Sequence, residues 1–207
     1  MTAASWDIEL LRLLNRDWSA IWLDYLMPAV SAIEAWMPPL VVVAFFIVLK
    51  GGVKARRMFL CAALALGIGD ALISNTLKKT IGRVRPRDAI EGVVIRDLGR
   101  AEPAFMRLFV PPVSSLSQPS GAKVGTSFPS SHTINLFALA TVMACFYRRL
   151  GVVTYVLAFI VAYSRIYCGA HWPSDIPPSI AIGLLTGLGV VWAMRRLAGR
   201  AWEPVVK

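Results

Sequence analysis

Residues 164–175 run Ser164-Arg165-Ile166-Tyr167-Cys168-Gly169-Ala170-His171-Trp172-Pro173-Ser174-Asp175. The stretch begins as the tail of an apolar run, turns at Gly169 and breaks at Pro173. It leaves a guanidinium, an imidazole and a carboxylate at the edge of a membrane span. Such groups are costly to strip of water there, and a site is their usual explanation. A carboxylate close to a His also fixes the ring tautomer and raises its basicity. Taken alone, polar residues at a span end would explain the stretch slightly better. The remainder of the chain reverses that balance.

Of the 207 residues, 57% are hydrophobic and only 16% charged, with a mean hydropathy of +0.61. That excludes an ordinary soluble domain and fits an all-α polytopic membrane protein. The length suits one membrane-embedded domain over 1–207. A net charge of +10 raises the question of nucleic acid. The Lys and Arg residues instead fall between and after apolar runs, which points to topology and to anionic lipid or phosphate ligands, with no nucleic-acid partner. Cys61, Cys145 and Cys168 stand singly in or beside apolar runs, without metal-ligand or disulfide spacing. The N-terminus lacks the pattern of a cleaved signal, so Met1 is expected to be retained.

Residues Ser5–Asp17 place Ile8, Leu11, Leu14 and Trp18 at helical spacing, which predicts a short interfacial helix. Trp18–Trp36 is a weak span carrying Asp24 and Glu34. Met37-Pro38-Pro39 reads as a turn and Leu40–Leu49 as a short second span. Met58–Leu77, Ser131–Tyr147, Val152–Tyr167 and Ile176–Met194 complete a predicted six-helix bundle. Basic clusters at 50–57, 148–149 and 195–200 mark alternate span ends. The positive-inside rule puts them, and both termini if six segments cross, in the cytoplasm of a cell inner (plasma) membrane. The end of span three, the start of span four and the loop after span five then share the external, periplasmic face. The connection Arg87–Ser127, with its apolar patch Phe105–Val110 and polar run Ser114–Ser120, lies there too. It fits either a cap over a site or a disordered external loop.

Unusual polar residues gather at those places. Lys78, Lys79, Arg83, Arg85 and Arg87 crowd the end of span three, on the wrong face for a topology signal. Arg forks suit phosphate oxygens, and Lys adds a point charge. Phe128-Pro129-Ser130-Ser131-His132-Thr133 precedes span four, with Ser130 or Ser131 a natural N-cap. The free N–H groups of such a helix start favour an anion. The chain holds 2 His, and both lie in these clusters. No acidic cluster accompanies them to hold Mg²⁺ or Ca²⁺. Anion binding with two imidazoles points to phosphoryl transfer without a metal or other cofactor. Asp70, Ser74 and Lys78 share one face of span three, so Asp70 fits either support of the site or a structural interhelix hydrogen bond.

In order and spacing, Lys78-x6-Arg85-Pro86, Pro129-Ser130-Ser131-His132 and Ser164-Arg165-x5-His171-x3-Asp175 resemble the tripartite signature of the type 2 phosphatidic acid phosphatase family, PAP2, related to vanadium haloperoxidases. The likeness covers about 58–194. It implies a PAP2/haloperoxidase-like bundle in which His171 attacks phosphorus, Asp175 orients its ring and His132 protonates the leaving oxygen. Lys78, Arg85, Ser130, Ser131 and Arg165 would hold the phosphate oxygens. The residues outside the pattern, Lys79, Arg83 and Arg87, are expected to be interfacial or solvated. Ser131 stands where the family usually has Gly, which adds a side chain near the phosphate and bears on substrate fit.

The implied reaction is metal-independent hydrolysis of a phosphate monoester or pyrophosphate on a membrane lipid through a phosphohistidine. Undecaprenyl pyrophosphate, phosphatidylglycerophosphate, phosphatidic acid and lipid A are all compatible substrates, and transfer to a lipid hydroxyl would use the same residues. A lipid-phosphate binding or transport protein would need the cations but not the paired imidazoles. A haloperoxidase would share the anion site, but those enzymes are soluble.

Overall fold

The computed structural model describes residues 4–119 and 125–199, so Met1, Ser120 and Arg200 lie outside the described residues. Helix α1 (Ser5–Arg12) continues through a π-turn at Leu13–Asp17. Then come α2 (Ile21–Ser31), α3 (Ile33–Lys50), α4 (Val53–Ile81), α5 (Ser131–Phe146), α6 (Arg148–Tyr167) and α7 (Ile176–Ala198). The helices α3, α4 and α6, and Pro173–Ala198 with α7, are each long and apolar enough to cross a membrane. With 16 residues, α5 spans about 24 Å, and α2 has only 11.

At the centre of the bundle α5 packs against α4, α6 and α7. Its buried residues, including Thr133, Ile134, Phe137, Ala140 and Val142, leave no wholly exposed face, as befits a helix surrounded by protein. The core divides along the bundle. Met58, Cys61, Ala65, Ala138, Val142 and Val190 pack towards the basic ends of the helices. Leu11, Val93, Phe137, Ala162, Trp172 and Ile176 pack towards the polar ends. Small residues set the α5–α7 distance, as is usual where membrane helices approach closely.

The N-terminal third departs from the sequence expectation. Pro38 and Pro39 lie inside α3 rather than in a turn, and the break falls at Ala32. Each Pro removes a hydrogen bond to the preceding turn. Membrane helices absorb this where neighbouring groups make up the loss. The break itself is clamped by Trp36 Nε1, which donates to the Ala29 carbonyl at 2.9 Å. The second apolar segment is thus longer than Leu40–Leu49, and the first shorter than Trp18–Trp36.

The connection between α4 and α5 is not wholly irregular, so the all-α description needs one addition. Strands β1 (Val94–Asp97) and β2 (Val113–Leu116) form an antiparallel pair, with a 3-10 turn at Ala104–Phe109 between them. The β-branched Val94, Ile95 and Val113 favour this pairing. The hairpin is fastened to the bundle by Asn15, which donates to the Val94 and Tyr167 carbonyls at 2.8 and 2.7 Å. Asn15 Oδ1 accepts from Val94 N–H at 2.9 Å. Arg96 sits over the Tyr167 ring and pairs with Asp24. Gly169, at φ +70°, lets the chain turn beneath the hairpin, where a Cβ would lie 2.7 Å from Val93 Cγ1.

The α5–α7 contact gives a direct test. A Cβ on Gly183 would sit 2.6 Å from the Ile134 carbonyl and 2.8 Å from Phe137 Cβ, whereas one on Gly189 meets nothing within 4 Å. Gly183→Ala should cost about 1–3 kcal/mol, a fall of several degrees in the detergent melting temperature. Gly189→Ala should hold or raise it through better helix propensity. Equal melting temperatures for the two variants would contradict the packing.

Candidate active site

The three polar clusters converge because backbone, as well as side chains, joins them. Val84 and Thr126 form a β-bridge. Arg85 N–H donates to the Gly125 carbonyl at 3.1 Å and Ser127 N–H to the Arg83 carbonyl at 2.6 Å. This seats the end of the first cluster along the start of the second. Ser130 N–H donates to Ser179 Oγ at 3.0 Å, and Ser179 Oγ donates to the Asp175 carbonyl at 2.7 Å. That tie joins the second cluster to the third. Trp172 Nε1 donates to the Val84 carbonyl at 2.8 Å, joining the third to the first.

Ser130 is the N-cap of α5. It is fully buried, and its hydroxyl accepts from Thr133 Oγ1 at 3.0 Å and from Thr133 N–H at 3.5 Å. Its side chain is therefore engaged in capping. Ser131 is the side chain turned to the cations: Lys78 Nζ donates to its Oγ at 2.5 Å, and Ser74 Oγ lies 2.6 Å away. The π-wound segment Ile68–Ser74 in α4 leads into this contact, a common position for such a distortion. Asp70, on the same stretch, is exposed.

Arg165, at the polar end of α6, lies close enough to act electrostatically on Lys78, His132 and His171. Among the described residues, neither its buried Nε nor His171 Nδ1 has a hydrogen-bond partner. A buried polar atom without a partner calls for an explanation, and a ligand's oxygens are one. Arg85 donates through Nε to the Thr126 carbonyl at 3.2 Å and also acts on Arg165 and His171. His132 is half-buried in the first turn of α5, facing the Ser31 backbone.

The Asp175 carboxylate is fully buried. Its Oδ2 accepts from Ser127 Oγ and from Trp172 N–H at 3.0 Å, and Oδ1 takes Arg83. His171 Nδ1 stands 3.8 Å from Oδ2, beyond a hydrogen bond, so in this geometry the carboxylate acts on the ring through its charge. Burial pushes the His171 imidazole down to about 4, with Asp175 pulling upward and Arg165 downward.

Arg83 corrects the sequence expectation. It is not a solvated charge: one terminal nitrogen contacts Asp175 and the other pairs with Asp7 at 2.7 Å, and its guanidinium lies over the Trp172 ring. Its partner Asp7 belongs to no motif. The available signal was its spacing, because Asp7, Leu11 and Asn15 recur every fourth residue and all are buried. Ser127 and Ser174 carry no pattern that would mark them. Among the described residues, no group of three His, Cys, Asp and Glu side chains gathers as a metal-ligand set.

With one imidazole in the second cluster and one in the third, isotope-labelled histidine yields two ring signals, assigned by His132→Ala. His171 should titrate well below 6.5, near 4, and remain neutral down to about pH 5. Between those values the unfolded chain binds a proton that folded His171 does not, so this residue makes stability fall as pH falls through that window. A midpoint at or above 6.5 would contradict the burial.

Several comparisons bear on the chain. It is 26% identical over 200 residues to a lipid A 4'-phosphatase of Bacteroides thetaiotaomicron, covering 94% of this chain and 79% of that one. Its fold is similar to that of LpxE of Aquifex aeolicus, with TM-score 0.67, 22% identity, and 91% and 96% of the two chains covered. It is also similar to a PAP2 type phosphatidylglycerolphosphate phosphatase of Bacillus subtilis, with TM-score 0.61, 19% identity, and 95% and 87% covered. The PAP2 superfamily model matches residues 56–198, and the chain belongs to that superfamily.

Proposed function

We propose that this protein is a membrane lipid phosphate phosphatase working through a phosphohistidine without a metal ion. The observation that carries the reading is the meeting of both imidazoles with Lys78, Arg85 and Arg165 at one end of the bundle. Family membership supports it, as do relatives named for lipid A and phosphatidylglycerolphosphate.

The lipid phosphate enters among Lys78, Arg85 and Arg165, with the free N–H groups of α5 at Ser131 adding their dipole. The Nδ1 side of His171 faces Asp175, so Nε2 carries the free lone pair and attacks phosphorus. A low proton affinity keeps that lone pair available at neutral pH. As the bond to the lipid oxygen breaks, His132 gives that oxygen a proton. It then takes a proton from water, whose oxygen attacks the phosphohistidine and releases inorganic phosphate and free His171. The cations hold the oxygens as charge redistributes. Ser131, tied to Lys78, is in a position to tune substrate fit.

Basic clusters at 50–57 and 148–149 and the described Arg195 and Arg196 occupy the helix ends remote from the site. By the positive-inside rule the site faces the external side of the inner membrane and the C-terminal end of α7 faces the cytoplasm. Helix α1, whose Asp7 pairs with Arg83 at the site end, then lies on the external side instead of the cytoplasmic one expected for six crossings.

Purified protein in detergent should release phosphate from at least one of lipid A, phosphatidylglycerophosphate, phosphatidic acid or undecaprenyl pyrophosphate. Excess EDTA should leave the rate unchanged, and His171→Ala should lose at least a thousand-fold, the scale on which loss of a nucleophile acts. No release from any of the four, or a loss in EDTA restored by Mg²⁺, would overturn the reading.

A further inference from the structure

Asp7 lies on the N-terminal helix, far from the signature in sequence, yet it is only 1% exposed at the site end of the bundle. Its Oδ2 pairs with Arg83 at 2.7 Å and accepts from Ser174 Oγ at 2.6 Å. Its Oδ1 accepts from Ser174 N–H at 2.9 Å. Arg83 reaches across to Asp175 Oδ1 and donates to Ser174 Oγ at 2.8 Å. A carboxylate, a guanidinium and a second carboxylate thus stand in series, the last of them 3.8 Å from His171 Nδ1.

We propose that Asp7 is a positioning residue for the reaction: it neutralises Arg83, so that Asp175 presents a net negative charge to His171, and it holds the turn that carries Asp175. The inference rests on the role of His171 proposed above. When Nε2 takes the phosphoryl group, the ring passes from neutral to cationic. The series Asp7–Arg83–Asp175 sums to one negative charge and opposes that developing cation. Without the Asp7 charge, Arg83 and Asp175 cancel and the cation gains little. In a buried, low-dielectric setting this difference is large enough to appear in rate. Holding Ser174 through both its N–H and its hydroxyl fixes the residue next to Asp175, as partners behind a ligand fix its orientation elsewhere.

A purely structural role would have Asp7 dock the N-terminal helix and nothing more. The two roles separate in the full-length protein carrying Asp7→Asn, which keeps shape and removes charge. On the lipid phosphate that the wild type hydrolyses, kcat should fall roughly ten-fold, the scale for losing such a supporting partner, while KM stays within about two-fold. The isotope-labelled His171 ring should show less of the Nδ1–H tautomer, and Asp7→Glu should recover most of kcat. If Asp7→Asn does not fold, Arg83→Lys serves, since an ammonium cannot fork to both carboxylates, and the same fall in kcat is expected. Wild-type kcat with an unchanged His171 tautomer would overturn the proposal, even if the melting temperature drops. Failure of the wild type to hydrolyse any lipid phosphate would count against the phosphatase reading, and the tautomer shift would still decide the role of Asp7.

Discussion

A buried carboxylate must be compensated by donors, and at Asp175 two of the three come from distant parts of the chain. Ser127 arrives from the segment before α5, Arg83 from the end of α4, and Trp172 N–H from the turn itself. Removing any one leaves charge or lone pairs uncompensated, the expensive direction for a buried ionic group. The convergence of the signature clusters therefore follows from satisfying one carboxylate as much as from packing helices. Gly169 and the hairpin above it close the same end, and the aliphatic core below holds the helices at the spacing this network needs.

The network also leaves the nucleophile candidate buried with an unpaired ring nitrogen among the described residues. His171 is buried, and among the described residues its Nδ1 has no hydrogen-bond partner, with Asp175 Oδ2 3.8 Å away. Arg165 Nε is likewise unspent. In the proposed reaction, phosphate oxygens and the charge developing on the His171 ring would give these groups their partners. Ser131 adds a local difference. Its hydroxyl already receives Lys78, so a phosphate binding as proposed would meet a side chain that a Gly would lack.

Much of the bundle was legible in the sequence because four helices are uninterrupted apolar runs bounded by basic residues or breaks. Helix α5 ends one residue before the expected Tyr147, whereas α6 starts four residues before Val152 and α7 runs four residues past Met194, because the basic clusters are wound into the helices. The N-terminal third was harder: Pro38 and Pro39 carry a turn signal that a membrane helix can absorb, and nothing local marks Ala32 as the break. The hairpin is written in only a few β-branched residues inside a polar connection. At the site, the motif positions meet, but motif spacing says nothing of what supports them. Arg83 looked surplus because its partners, Asp7 and Asp175, are 76 and 92 residues away. Ser130 and Ser131 looked equivalent until the helix start assigned one to the cap and the other to Lys78.

The proposed mechanism requires a covalent phosphoryl group on His171. Rapid mixing with a radiolabelled lipid phosphate, quenched in alkali where phosphohistidine survives and mapped by peptide, tests it most directly. The account predicts label on the peptide containing His171 within the first turnover, and none in His171→Ala. Label on His132, or phosphate released in the first turnover with no protein-bound label at any time, would contradict it.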